Sequence, residues 1–217
     1  MAKRRNLTTK ILIADDHPVV REGLKQILRE TSGTIVVDEA GTSQEVLNKV
    51  WENDYDVVLL DISLPDRSGL DVLKELKRAK PQLGILVVSV HSEEQYAVRA
   101  IKAGASGYLT KESAPDELIA AIQKVSLGRK YISSSLAEKL ASALEVDAEK
   151  PLHETLSDRE YQVMCMTASG KMVKEIAGEL MLSAKTISTY RSRILTKMRM
   201  KSSAQLTHYA IKHRLVD

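Results

Sequence analysis

Five short apolar runs, KILIAD (10–15), TIVVD (34–38), DVVLLD (56–61), GILVVSV (84–90) and SGYL (106–109), punctuate the first 110 residues of the chain. Between and after them lie segments whose apolar residues recur at helical spacing, near 18–30, 43–53, 69–78, 92–103 and 115–127. Strand-length runs alternating with amphipathic helices favour a parallel sheet covered on both faces, because each crossover helix must bury its stripe against the strands it joins. The expected fold is α/β, a doubly wound five-stranded parallel sheet of five βα units.

After Gly128 the strand pattern stops. Residues 131–145 predict a helix with Leu136, Leu140 and Leu144 on one face, and VDAEKP (146–151) is polar and ends in Pro151. Residues 129–154 are therefore expected to be a partly helical linker, and residues 1–9 a basic tail. From Ser157 onward the sequence carries short helical segments broken near Gly170 and Ser183, and Ser157 followed by Glu160 has the spacing of a capping box. A compact domain of about four helices is expected over 155–217.

Composition narrows the setting. The 217 residues suffice for two ordinary domains, and 43% hydrophobic with 28% charged is a globular balance. No apolar run approaches the roughly 18 residues of a membrane span, and MAKRRNLTTK lacks the apolar stretch of a secretory signal. Cys165 is the only cysteine, so no internal disulfide is possible and cytoplasm is the expected compartment. Lying among Val163, Met164 and Met166, it reads as a small buried apolar residue, and no zinc-ligand spacing surrounds it. Charge is divided: residues 10–128 hold 14 Lys/Arg against 19 Asp/Glu, and residues 155–217 hold 11 against 5. Only the second half is expected to meet a polyanion.

Asp15 and Asp16 end the first run and Asp61 ends the third, so a parallel sheet brings all three to one edge. Such an anionic pocket suits a divalent cation and a phosphoryl group, with Asp15, Asp16, Asp61 and the main-chain carbonyl of Ser63 as an oxygen set for Mg²⁺. Lys111, just past the fifth run, supplies a cation for a new negative charge, and Ser89, near the end of the fourth, a hydroxyl to sense it. An acid at a strand end is most often merely solvated. Five such residues at the correct ends of four strands are hard to obtain by accident.

In the second half, residues 183–201 contain Lys185, Arg191, Arg193, Lys197, Arg199 and Lys201 and no acid. Ile187, Ile194 and Met198 form an apolar stripe on the same segment. KMVKEIAGELMLSAKTISTYRSRI reads as helix, short turn, helix, the layout that places a second helix in the major groove of double-stranded DNA.

The stretches ILIADDHPVVREGL, VVLLDISLPDRSGLDVL, ILVVSVHSEE and GASGYLTKES resemble the flavodoxin-like receiver domains of two-component response regulators. The resemblance implies a receiver over 10–128 with Asp61 as phosphoacceptor, Asp15 and Asp16 holding Mg²⁺, Ser89 and Tyr108 as the switch pair and Lys111 as the lysine partner. It also implies that Pro65 and Gly69 shape the loop after the acceptor and that His17 packs near the pocket without being a ligand. Glu112 follows Lys111 where the family often has proline, so no cis bond is carried over there. LSDREYQVM, ASGKMVKEIAGELMLSAKTISTYRSRILTKM and MKSSAQLTHYAIKH resemble the LuxR-type DNA-binding domain. That likeness implies that Ile176, Ala177, Leu180, Ile187 and Ile194 pack the core. Lys185, Thr186, Ser188, Thr189, Arg191 and Ser192 then face DNA, and Lys174 reaches a phosphate. Tyr190 stands where that family commonly has histidine.

Together the resemblances imply a NarL/FixJ-type response regulator: a sensor histidine kinase phosphorylates Asp61, and a homodimer binds two DNA half-sites. RNA polymerase is a further partner if the regulator is an activator. Leu206, Tyr209 and Ala210 of the last helix are expected at the dimer contact or in the core. An aspartate-nucleophile phosphohydrolase is the enzymatic alternative, but Ser63 occupies the place of its second aspartate, and no nucleotide-binding glycine motif is present. The expectation is a regulator rather than an enzyme. A third alternative is a receiver without phosphorylation that serves only as an interaction module.

Overall fold

The computed structural model describes residues 8–30, 34–145 and 151–216. It divides into two compact units, Met1–Ser134 and Ser135–Asp217. The basic tail, except Thr8 and Thr9, and residues 146–150 of the linker lie outside the described residues.

In the first unit, β1 (Thr9–Ala14), β2 (Ile35–Ala40), β3 (Val57–Leu60), β4 (Gly84–Ser89) and β5 (Gly107–Thr110) alternate with α1 (Pro18–Arg29), α2 (Ser43–Glu52), α3 (Gly69–Ala79), α4 (Glu93–Lys102) and α5 (Pro115–Ser126). All pairings are parallel and the order is β2-β1-β3-β4-β5. Ile11, Ile13, Val57, Leu59, Leu86, Val88 and Leu109 pack with Leu28 of α1 and with Leu118, Ala121, Ile122 and Val125 of α5. Leu12, Val58, Leu60, Ile85, Val87 and Tyr108 alternate with them along the strands and are equally buried, which is why the central runs are apolar without a polar phase.

Two differences from the sequence expectation have clear causes. β2 does not stop at Asp38 but continues to Ala40, because an edge strand is only half buried and its acids have partners. Asp38 accepts from the Tyr55 hydroxyl at 2.7 Å, and Glu39 from Arg21 at 2.9 Å and Lys25 at 2.7 Å. The helix expected from residue 131 begins at Ser134 instead, as α6 (Ser134–Glu145), because Tyr131 pairs with Gly107 at the edge of β5. Leu136 is buried and Leu140 half-buried, while the side chain of Leu144 lies outside the described residues.

The second unit contains, after α6, a 3-10 turn (Leu152–Thr155) and α7 (Asp158–Ala168), α8 (Val173–Glu179), α9 (Ala184–Lys197) and α10 (Ser203–Lys212). The capping box at Ser157 is complete, and its Glu160 also accepts from Lys197 of α9 at 2.6 Å. Ile176, Ala177, Leu180, Ile187, Ile194, Met198 and Cys165 are all in the core. So are Leu206 and Ala210, which removes them from the expected dimer surface; the exposed apolar residue of α10 is Ile211. Arg159 of α7, itself buried, donates to the Leu180 carbonyl at 3.3 Å and so satisfies an acceptor left open at the end of α8.

Gly69 opens α3 against the backbone that follows Asp61. A Cβ there would overlap the Asp61 carbonyl and lie 2.6 Å from Ile62 Cα. Gly69→Ala is expected to cost about 2 kcal/mol, as backbone overpacking does. Urea unfolding followed by Trp51, the single tryptophan, measures this loss.

Burial raises the Glu160 carboxyl, but the Lys197 ammonium and the Ser157 donors outweigh it and hold the group below its ordinary value. A carboxyl depressed in the folded state stabilises the fold above its unfolded pKa and loses that contribution as pH falls through the folded value. Because Lys197 is 43% exposed, screening limits the pair to about 1 kcal/mol. Glu160→Gln is therefore expected to lower hydrogen-exchange protection of α7 and α9 at neutral pH, with the deficit shrinking once pH falls below the ordinary carboxyl value of about 4.3.

Candidate functional site: an acid pocket and a basic helix

The strand order reverses between β1 and β3, and the crevice at the carboxyl ends of the strands opens there. Asp15 and Asp16 follow β1, Asp61 follows β3, Ser89 ends β4 and Lys111 follows β5. Backbone bonds carry the ladder one residue past the strands: Asp15 N–H to the Ala40 carbonyl, Asp61 N–H to Ala14 and Lys111 N–H to Ser89. Asp15 and Asp61 are thus held by extensions of the sheet ladder.

The Lys111 ammonium bonds the Asp61 carboxylate at 2.8 Å and also touches Asp15. Both carboxylates are buried, at 1% and 3% side-chain exposure. Asp61 accepts in addition from the Ser63 N–H at 3.0 Å, and Asp15 from the His17 N–H at 2.9 Å. Burial pushes the Asp61 carboxyl up, partly opposed by Lys111 and the Ser63 N–H. Burial pulls the Lys111 ammonium down, yet Asp61 and Asp15 reverse this and leave it raised.

Asp16 completes the pocket differently. Its Oδ1 is buried without a hydrogen-bond donor: His17 Nδ1 stands 2.8 Å away but lacks the alignment of a bond. An orphan carboxylate oxygen beside the buried Asp15 carboxylate fits a hard divalent cation, and an oxygen-rich donor set favours Mg²⁺ over zinc. Oxygens of Asp15 and Asp16 and a nitrogen of His17 all lie within 4.8 Å of one another. His17 lies beside the pocket at the start of α1, its Nδ1 2.8 Å from Asp16 Oδ1 and its side chain 66% exposed.

Ser89 and Tyr108, the pair expected to form a switch, both bond the backbone of His91. Ser89 is fully buried, and its Oγ accepts from the His91 N–H at 3.2 Å. Tyr108 is also buried, its hydroxyl donates to the His91 carbonyl at 2.8 Å, and burial raises its phenol. His91 was not legible as a site residue. Its ring nitrogen lies 3.3 Å from Ser63 Oγ and its ring 4.7 Å from that of Tyr96, so one residue touches the loop after Asp61, Ser89, Tyr108 and α4. The only available signal was its place two residues after Ser89.

On the basic helix α9, Lys185, Ser188, Thr189 and Ser192 are exposed on one face, and Thr186 is half-buried beside Ser183. Lys174 of α8 is exposed. Ser188, Thr189 and Ser192 donate their hydroxyl protons to carbonyls one turn earlier, at 2.9, 2.9 and 3.2 Å. They offer lone pairs, not donors, to the outside. Arg191 departs from the expected outward set, for its guanidinium donates to Ser203 at the start of α10 at 2.6 Å. No described helix is long and apolar enough to cross a membrane.

Known proteins share this arrangement. Residues 11–123 match the response regulator receiver domain, and residues 154–210 match the bacterial regulatory proteins of the luxR family. The response regulator UvrY of Escherichia coli (strain K12) is 37% identical over 208 residues, 95% of each chain. The response regulator GacA of Pseudomonas aeruginosa is 36% identical over 209 residues, covering 96% of this chain and 98% of its own. Among solved structures, the Salmonella typhimurium response regulator RcsB superimposes with a TM-score of 0.66 at 25% identity, over 95% of this chain and 98% of that one. RcsB of Salmonella enterica serovar Typhimurium, bound to promoter rprA in the presence of phosphomimetic BeF3−, gives a TM-score of 0.61 at 27% identity, over 93% and 98%.

Removing a partner from a buried charge cluster separates its members. Lys111→Ala leaves two buried carboxylates without a cation and is expected to cost about 3–5 kcal/mol. Asp61→Asn should do the opposite in buffer free of divalent cations. A raised carboxyl favours its protonated form on folding, so ionised Asp61 weakens the fold at neutral pH, and the neutral amide is expected to raise the urea midpoint. Millimolar Mg²⁺ should then stabilise the wild-type chain more than the variant.

Proposed function

The chain belongs to the two-component response regulators of the NarL/FixJ type, and from that premise we propose that it is a DNA-binding transcriptional regulator switched by phosphorylation of Asp61 from a sensor histidine kinase. The receiver spans 10–128, a partly helical linker 129–154 and the DNA-binding domain 155–217, behind a tail of residues 1–9. The observation that carries this reading is the buried set of Asp61, Asp15 and Lys111 at the reversal of strand order.

In the reaction a carboxylate oxygen of Asp61 attacks phosphorus of a phosphohistidine, the P–N bond breaks, and the imidazole leaves with its electron pair and takes a proton from water. Asp15, Asp16, Asp61 and the Ser63 carbonyl would hold Mg²⁺, which would supply positive charge against the phosphoryl oxygens. Lys111 keeps Asp61 ionised beforehand and moves its charge to a phosphoryl oxygen afterwards. The Ser63 N–H fixes the other carboxylate oxygen, so one oxygen alone is presented for attack. The new group carries about −1.5 to −2 charges. Ser89 turns its hydroxyl to that charge, and Tyr108, already inward against His91, locks the rearranged loop. Inverting a 1:99 balance requires about 5.5 kcal/mol of differential stabilisation, so partial switching is the natural expectation.

The output is a homodimer whose α9 helices enter successive major grooves about one helical turn apart. Lys174 and Lys185 meet phosphates, while Thr186, Ser188, Thr189 and Ser192 line the groove floor and Arg191 braces α9 against α10 at the backbone. Affinity therefore resides in phosphate contacts, with modest base discrimination. RNA polymerase joins as a partner where the regulator activates, and the reaction takes place in the cytoplasm.

Binding of the full chain to genomic fragments, sequenced with and without acetyl phosphate, tests the whole reading. Acetyl phosphate is expected to enrich a defined set of fragments at least about fivefold, and Asp61→Asn to abolish that enrichment; an Asn variant with the full response would leave only the interaction-module alternative. Across salt, log K should fall steeply with log concentration, and Lys185→Ala should make the slope shallower by about 1.

A further inference from the structure

The residues after α5 do not leave the sheet at once. Tyr131 N–H donates to the Ser106 carbonyl at 2.7 Å, and Tyr131 pairs in parallel with Gly107, which adds a one-residue strand outside β5. The approach is close enough to require glycine: a Cβ at position 107 would lie 2.8 Å from the Tyr131 carbonyl oxygen. The Tyr131 hydroxyl donates to Glu117 of α5 at 2.8 Å, and the Lys124 ammonium lies 5.3 Å from its ring centroid. Backbone, hydroxyl and ring thus all fix this residue to the receiver.

Two residues on, the Ser133 hydroxyl sits astride the Glu93 carboxylate, 2.9 and 3.0 Å from its oxygens. Glu93 is the first residue of α4, and Ser134, next in the chain after Ser133, is the first of α6. This side-chain bond therefore joins the start of α4 to the residue that precedes the linker helix. Glu93 also stands two residues after His91, whose backbone is bonded to Ser89 and Tyr108 and whose ring nitrogen lies 3.3 Å from Ser63 Oγ. A rearrangement of Ser89 around a charge on Asp61 must displace residue 91. The intervening Ser92 caps α4 without a side-chain bond, so the first turn lacks one of the usual anchors and can follow.

We propose that the Ser133–Glu93 bond is a latch that passes the state of the Asp61 pocket to the linker, an inference that rests on Asp61 being the phosphoacceptor. Tyr131 is the fixed end of the exit segment and Ser133 its movable end. When α4 shifts at its first turn, Glu93 carries Ser133 with it or lets it go. The two arrangements give α6 different starting points. A hydrogen bond to a charged group is strong enough to hold a short segment and can still exchange with water.

The test uses the full-length chain with acetyl phosphate as phosphodonor, in wild-type and Ser133→Ala forms, with Ser133→Thr retaining the hydroxyl. Intact mass reports the phosphoryl group, amide exchange reports residues 132–136, and affinity is measured for a genomic fragment recovered by the phosphorylated wild type. In the wild type, phosphorylation is expected to change exchange over 132–136. Ser133→Ala should take up the phosphoryl group to the same extent, show no donor-dependent exchange there, and lose about fivefold of the donor-dependent gain in affinity. Ser133→Thr should restore both responses. A phosphorylated wild type with unchanged exchange over 132–136, or an alanine variant with the full gain, overturns the latch while leaving the Asp61 reading intact. A wild type that takes up no phosphoryl group overturns the Asp61 reading, and the latch with it.

Discussion

The Lys111 ammonium between Asp15 and Asp61 is the contact on which the first unit depends. Two carboxylates at the end of a hydrophobic sheet are tolerable only if a cation shares the burial, and the nearest cation belongs to a strand two positions away from β3. Correct registration of β1, β3, β4 and β5 is therefore a condition for charge balance as well as for packing. The same contact makes the pocket responsive. Lys111 and two backbone N–H groups occupy all four oxygens of Asp15 and Asp61, while Asp16 Oδ1 has no hydrogen-bond partner, so an added cation meets an acceptor already in place.

Much of this was legible in the sequence because it is local. Each acid is the residue that follows an apolar run, and a parallel sheet leaves such residues no other edge to occupy. The central strands, the capping box at Ser157 and the apolar stripe of α9 are legible for the same reason, since periodicity and spacing encode them directly. The illegible parts are those decided by a distant partner. β2 runs through two acids because Tyr55, Arg21 and Lys25 come to meet them. Tyr131 joins the sheet because Gly107 leaves room, and His91 gains its place from three neighbours of which none is adjacent in sequence.

The second unit shows how poorly a count of cations describes a basic surface. Of the six in residues 183–201, Lys197 is bonded to Glu160 and Arg191 to Ser203. These two tie α9 to α7 and α10. The positive face is consequently narrower than the composition suggests, and it is held rigidly.

The hydroxyls of Ser188, Thr189 and Ser192, tied back to their own helix, bear on how such a protein travels. Three hydroxyls that offer only lone pairs form few strong bonds with any one base, so a surface of this kind would meet little roughness as it diffuses along a duplex. Fast one-dimensional search and long residence at a target then make opposite demands on the same surface. The proposed pairing of two chains would resolve them: each helix alone slides, and the pair stays where both fit at once.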